Sequence, residues 1–286
     1  MSNEAQILSQ IVNMKISDDA APQNRRIFDP PLSTQRYKWV QMFLEGQRDI
    51  RSVTDLGCGN GRLMNWLKPV AHLETINFID IDHIMLELDI ENFRPGLWEL
   101  LFGRQNSDKA LELKVYHGDI TVPDDRLAAD CFIMVEVIEH MLPEHVNNTV
   151  ATIFGYHQPK LVIVTTPNCE FNHLLRQEGE PSDKFRHYDH KFEWTRAEFE
   201  QWSRLICDTF PYSFVLDGVG HLPNSGPFGP CTQIAIFRRN QPTHCPNSDR
   251  QRANTRLQML EANKNRKQPL LLLTELVKGH TDEDAK

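Results

Sequence analysis

The chain has 286 residues, 40% of them hydrophobic, with 39 acidic against 31 basic side chains and a formal net charge of −8. That length suits one sizeable domain with tails, whose core needs no disulfide or metal staple. The negative balance excludes a globally basic nucleic-acid binder, so an acidic partner would need a local basic surface. The six cysteines, at 58, 131, 169, 207, 231 and 245, form no CxxC pair, and several lie in apolar runs. This predicts reduced thiols in a cytosolic or nuclear protein. The first 30 residues lack an apolar signal-peptide core, and no run of 18 apolar residues occurs, so the chain is expected to be soluble and unsecreted.

Residues 1–27 are polar and irregular and predict a flexible arm. In FDPPLSTQRYKWVQMFLEG (28–46) a stiff Pro-Pro lead-in precedes Tyr37, Val40, Phe43 and Leu44 at helical spacing. SVTDLGCGNGRLMNWLK (52–68) reads as strand, glycine turn and helix. ETINFIDID (74–82) is a second strand, HIMLELDIENF (83–93) a helix and LELKVYHGDI (111–120) a third strand. DCFIMVEVI (130–138) is a fourth strand with the look of burial on both faces; EHVNNTVATIFGYH (144–157) suits a helix. KLVIVTTPN (160–168) is a fifth strand, apolar and β-branched.

Such alternation predicts an α/β fold, a mostly parallel sheet with helices on both faces. After a polar loop at 176–184, TRAEFEQWSRLICDTF (195–210) carries the apolar stripe Phe199, Trp202, Ile206 and Phe210. YSFVLDGVG and CTQIAIFRR then predict two late strands forming a hairpin-like edge. The domain is expected to span 28–238, followed by a flexible basic tail over 239–286. Residues 238–267 hold eight Lys/Arg against two acids, a net of +6. Such a run reads as a solvated tail or an RNA contact. PLLLLTELV (269–277) predicts a short docking helix or strand.

Two constellations carry chemistry. In the first, Asp55-Leu56-Gly57-Cys58-Gly59-Asn60-Gly61 follows a strand and opens a helix, and Asp80 ends the next strand. The glycines let a ligand approach the backbone, and a carboxylate at that strand end suits ribose hydroxyls. A nucleoside-containing cofactor is expected, the plainer alternative being a structural turn with ordinary caps. The leading acid makes this stretch resemble the S-adenosylmethionine loop of class I methyltransferases, in which Asp55 would steer the cationic end of the cofactor and Asp119-Ile120 would hold its adenine.

The second is EVIEHM (136–141) at the end of the fourth strand. On a helical turn, Glu136, Glu139 and His140 would share a face. Either they start a helix and face water, or they hold a metal ion, for which Mg²⁺ or Mn²⁺ suits the mixed O/N donors. HExxH does not occur, and the HxxEH order would need histidine where Glu136 stands. FRHYDHKFEWTR (185–196) supplies His187 and His190 on the same side of the predicted sheet.

FDPPLSTQRY, DLGCGNGRL, EVIEHM, TTPNCEFN and DHKFEWTR occur in one order, and together they resemble the small-RNA 3′-terminal 2′-O-methyltransferases from residue 28 to about 238. The double-stranded-RNA-binding modules of the plant enzymes are absent, so the likeness is to the animal, Piwi-interacting-RNA type. The resemblance implies a class I methyltransferase, Rossmann-like doubly wound fold. It implies S-adenosylmethionine bound by Asp55, Gly57, Gly59, Asp80, Asp119 and Ile120. Metal ligands fall on Glu136, Glu139, His140 and His190, with His140 ligand or base; His187 does not match, and Tyr188 gets no role.

The implied reaction is methylation of the 2′-hydroxyl on the last nucleotide of a small single-stranded RNA, protecting its 3′ end in RNA silencing. The implied partner is a Piwi/Argonaute-type protein, with no membrane, for a monomer in the cytoplasm and its RNA granules. Arg36, Arg186, Lys191 and Arg196 are candidate phosphate contacts. Phe192 and Trp194 are candidate stacking surfaces, with core packing as their plainer role. Asn168, with Thr166 and Pro167, is expected to shape the pocket for the end nucleotide. Two rivals stand beside this: a metal-dependent O-methyltransferase of small diols, and an inactive RNA- or Piwi-binding scaffold.

Overall fold

The structure, a computed structural model, describes residues 27–94, 110–176, 185–223 and 225–240, with the backbone of 271–272. The expected arm (all but residue 27), the 176–184 loop beyond Arg176 and most of the tail lie outside the described residues. Strands β1 (Ser52–Leu56), β2 (Thr75–Asp80), β3 (Glu112–His117), β4 (Cys131–Val135), β5 (Leu161–Pro167), β6 (Tyr212–Val219), β7 (Thr232–Arg239) and β8 (Leu271–Leu272) form one sheet. Their order is β6-β7-β5-β4-β1-β2-β3-β8. The five central strands pair in parallel, while β7 runs antiparallel between β5 and β6, and β8 antiparallel on β3. The expected late strand pair is therefore present, with β6 as its edge. The expected C-terminal docking element appears as the two residues of β8.

Period-two alternation sends successive side chains to opposite faces. In β4, Ile133 enters the core on one face, while Phe132 and Met134 enter the other. Helix α1 (Leu32–Glu45) begins just after Pro31 and covers the first face with Val40 and Leu44. Helix α2 (Met64–Leu67), one turn that stops before Pro69, lies on the same side, and α3 (His83–Leu88) follows β2. The second face takes α4 (Pro143–Val150), which runs on as π-type turns over Ala151–His157, and α5 (Arg196–Thr209). A reciprocal capping box between Thr195 and Glu198 starts α5, satisfying backbone donors that the helix itself cannot. Phe154 anchors this side in contact with Phe210, Tyr212 and Phe237.

The π-type turns end on His157, whose ring lies against Phe132 and whose Nε2 is buried without a partner. Burial pushes its pKa from 6.5 down to about 4. Between those values the unfolded chain takes up a proton that the folded one refuses, so stability falls as pH drops through the window. The loss is on the order of 3 kcal/mol. His157→Phe keeps a ring in place and removes the titration. Urea melts at pH 7 and pH 5 should show a smaller acid loss in the variant; equal losses would mean that His157 is not the titrating group.

Candidate active site

The C-terminal ends of β1 to β5 converge where α/β sheets bind ligands. After β1 the chain turns through Gly57 and Gly59 at positive φ, +71° and +54°. Both backbone N–H groups of Gly57 and Cys58 donate to the Ile79 carbonyl on β2. A Cβ on Gly57 would meet Val137 at 2.8 Å, so that glycine is required by packing. At Gly59 the nearest atom would be the Met85 methyl at 3.9 Å, which leaves room for a ligand against the backbone. Asp80 completes the cradle: its Oδ2 accepts from the Gly59 N–H at 2.8 Å and its Oδ1 from the Asp82 N–H at 3.0 Å.

Asp55, only 2% exposed, sits beneath. Burial, then the charge of Asp80, holds its carboxyl up at about 8. It is therefore mostly protonated at neutral pH, and a cation brought beside it would draw the proton off. The steering charge expected of Asp55 arises only with such a neighbour. Asp119 Oδ1 accepts from the Thr121 N–H at 2.8 Å, and Ile120 packs on the second-face core. An open glycine backbone beside a held carboxylate fits the nucleoside end of a cofactor.

The EVIEHM segment differs from its expected form. The strand stops at Val135 instead of running to 138, because Glu136 takes a left-handed φ of +56°. Only Ile138–His140 form a 3₁₀ turn, so the three side chains do not share one helical face. A non-glycine residue at such φ costs about 1–3 kcal/mol and marks functional positions. Glu136 meets Arg36 Nη1 at 3.2 Å and accepts from the Thr165 hydroxyl at 2.8 Å. Glu139 is fully buried: its Oε2 accepts from Thr166 at 3.0 Å, and its Oε1 has no partner. Burial, then the Glu136 charge, pushes its carboxyl well above the ordinary range.

The 185–196 loop is pinned to this turn, since the Lys191 N–H donates to the Glu139 carbonyl at 2.7 Å. Among the described residues, the donor atoms that converge within 4.8 Å are those of His140, His187 and His190. The expected set of Glu136, Glu139, His140 and His190 is thus held as two adjoining groups, the glutamates turned toward Arg36, Thr165 and Thr166. The three rings are not equivalent. His140 Nδ1 lies 3.1 Å from Asp189, and His190 Nδ1 lies 2.5 Å from Glu193. Each carboxylate keeps the proton on Nδ1 and leaves Nε2 as a lone-pair donor. His187 Nδ1 instead accepts from the Asp189 N–H at 3.2 Å, which places the neutral ring's proton on Nε2. Burial pulls the His190 pKa down, favouring the neutral ring that a cation needs. Two oriented imidazoles, and on the EVIEHM segment two carboxylates of which one has an orphaned buried oxygen, are the donor types that a divalent cation takes.

Several expected substrate contacts have other work. Arg186 donates from Nε to Asn172, from Nη2 to the Asn168 carbonyl and from Nη1 to the Cys231 carbonyl at 2.9 Å. It braces the loop, each of its three guanidinium nitrogens donating at least once to the protein itself. Asn168 is fully buried; its amide donates to the carbonyls of Phe228 and Pro230, and its oxygen accepts from the Glu170 N–H. It holds the end of β5 in place and does not face a nucleotide. Arg36 is turned to Glu136 and Thr232. Arg196 pairs with Glu170 and the Pro227 carbonyl, and Lys191 with Asp189; both keep exposed stems. Phe192 and Trp194 stack on each other at 4.4 Å and pack on the second-face core, their plainer role.

The residues that sequence reading passed over are Asp189, Glu193 and Thr165; Thr166, expected to shape the end-nucleotide pocket, donates to Glu139 instead. Glu193 lies three residues after His190, a spacing that was legible as carboxylate support for an imidazole, whereas Asp189 serves His140 from 49 residues away, which no local spacing signals.

No family model matches the chain. The small RNA 2′-O-methyltransferase of Rattus norvegicus is 35% identical over 215 residues, covering 74% of this chain and 52% of the relative. The chain spans about half the length of the curated animal relatives it matches. The crystal structure of the small RNA methyltransferase HEN1 is 34% identical with a TM-score of 0.64, over 77% of this chain and 26% of that one. The methyltransferase domain of a bacterial CtHen1 is 28% identical with a TM-score of 0.58, over 72% of this chain and 99% of that domain.

Proposed function

We propose, on the premise that the chain is a homologue of the small RNA 2′-O-methyltransferases across 74% of its length, that it moves a methyl group from S-adenosylmethionine to the 2′-hydroxyl of the 3′-terminal nucleotide of small single-stranded RNAs. The cofactor takes the cradle of Gly57, Gly59 and Asp80, its adenine against Asp119 and Ile120 and its cationic end toward Asp55. The observation that carries the reading is the pair His140 and His190, each held at Nδ1 by its own carboxylate, with His140 on the turn that follows β4. Glu136, Glu139, His140 and His190 would hold Mg²⁺ or Mn²⁺. A bound divalent ion supplies Lewis acidity toward the ribose hydroxyls.

The protein's own residues do the positioning. Asp189 and Glu193 fix the imidazole tautomers, and Thr165 and Thr166 orient the two glutamates. The Lys191–Glu139 backbone bond fixes the spacing between loop and strand end. The sulfonium already makes the methyl electrophilic, so orientation of the hydroxyl is the main demand. In the cell the reading is of a monomer acting in the cytoplasm on RNA carried by a Piwi/Argonaute-type protein.

The test is transfer of labelled methyl to a short single-stranded RNA in the presence of Mn²⁺ or Mg²⁺, with the product located by mass spectrometry. The expected product carries one methyl on the last 2′-oxygen. Transfer to catechol in place of RNA, methyl at internal riboses, or no transfer would overturn the reading.

A further inference from the structure

Tyr188 stands out because a large aromatic ring is left almost wholly in solvent. Its residue surface is 95% exposed, yet it stands two positions before His190. Its ring lies 4.3 Å from that of His187 at an interplanar angle of 36°. His187 in turn lies 5.6 Å from His140 and 5.5 Å from His190. The rings thus form a row leading from the sheltered imidazoles out to solvent. The turn that presents them is braced: the His190 N–H donates to the His187 carbonyl, the Asp189 N–H to His187 Nδ1, and the Lys191 N–H to the Glu139 carbonyl.

A single exposed aromatic is ordinary on a protein surface. Two facts give this one a ligand. The first is position, at the outer end of the histidine row. The second is charge: residues 168–196 carry five Lys/Arg against six Asp/Glu. The three that flank His190 in the chain are all engaged within the protein: Arg186 with Asn172 and Cys231, Arg196 with Glu170 and Lys191 with Asp189. Attraction to phosphate is therefore a weak source of grip at this end of the site. Stacking on an aromatic ring supplies grip without charge, and it tolerates any base because every base has a π-face.

We propose that Tyr188 is the platform on which the 3′-terminal nucleobase stacks, positioning the attached ribose at the histidine cluster. This rests on the reading of the site as an RNA-terminal methyltransferase. Tyr188 is a positioning residue: it touches the base, one glycosidic bond away from the reacting sugar. The contact is with the ring, so the phenol hydroxyl is dispensable.

The experiment compares wild type, Tyr188→Ala and Tyr188→Phe in steady-state methyl transfer to two RNAs. One ends in an ordinary nucleotide; the other ends in a ribose without its base. The expected result on the ordinary end is a rise in KM of about tenfold for Tyr188→Ala, with kcat changed much less, and wild-type behaviour for Tyr188→Phe. On the abasic end all three enzymes should be alike, each with the raised KM. Two outcomes overturn the proposal while leaving the parent reading intact: Tyr188→Ala matching wild type on the ordinary end, or losing as much on the abasic end, which would mean a contact other than to the base. A wild-type enzyme inert toward both RNAs overturns the parent reading and this proposal with it.

Discussion

Glu139→Gln should lower methyl transfer by about a thousandfold while raising the thermal stability of the protein in metal-free buffer. The two effects share one cause. The carboxylate is buried with one oxygen unpartnered, and a second carboxylate, Glu136, is the next largest influence on it after burial. Its folded-state pKa lies well above 4.5. The folded protein therefore binds a proton that the unfolded chain has released, and stability falls as pH rises through 4.5 toward that raised value.

At neutral pH the side chain is a liability to the fold, retained for what it can hold. Glutamine keeps the shape and the Thr166 contact without the charge. A gain of about 1 kcal/mol would appear as some 2–4 °C in Tm for a domain of this size. Mn²⁺ should raise the Tm of wild type, by linkage, and leave that of Glu139→Gln unmoved. The loss in rate corresponds to several kcal/mol of lost transition-state stabilisation. Undiminished transfer by Glu139→Gln, or an equal Mn²⁺ shift in both proteins, would remove Glu139 from the ligand set.

Asp80→Ala should weaken S-adenosylmethionine binding by about 1.5–3 kcal/mol, roughly ten- to a hundredfold, the scale of hydrogen bonds to a charged group. Each Asp80 oxygen already accepts one backbone N–H and keeps a second lone pair for a ribose hydroxyl. Alanine removes both the cofactor contact and the restraint on Gly59. It also removes the charge that is the second cause of the raised Asp55 pKa, so that carboxyl should ionise more readily in the variant. Asp80→Asn, which keeps one acceptor oxygen, should fall between the two. Isothermal titration calorimetry gives the comparison, and unchanged affinity in Asp80→Ala would place the cofactor elsewhere.

The sheet was legible because its central strands are short apolar, β-branched runs separated by glycine turns and amphipathic helices. VTDLGCGNG reads as a strand feeding a glycine turn, its use as a nucleoside cradle resting on Asp80 at the end of the next strand, and the structure opens Gly59 there. What the sequence hid depends on partners distant along the chain. Arg186 looks like a phosphate ligand until Asn168, Asn172 and Cys231 are brought to it from other elements. Asn168 looks like a pocket residue until the 228–230 carbonyls claim its amide. The helical reading of EVIEHM failed at one torsion, the left-handed φ of Glu136, which local preference opposes and the surrounding structure imposes. The division of labour among the histidines was half visible, since Glu193 follows His190 at i+3, but the fate of His187 turns on a single backbone donor.

The position of β7 between β5 and β6 has a consequence for how the protein is made. β5 is buried along its whole length, yet one of its two flanks is closed only by β7, the last long strand among the described residues to leave the ribosome. Until Arg239 has emerged, the nascent sheet ends on a bare row of amide groups on an apolar, β-branched strand, the kind of edge on which chains pair with one another. Reading frames cut short before residue 232 would leave that edge permanently open. Such products should collect in aggregates or be cleared by chaperones and proteases, even though the strand ends carrying the cofactor cradle and the EVIEHM turn had already been synthesised.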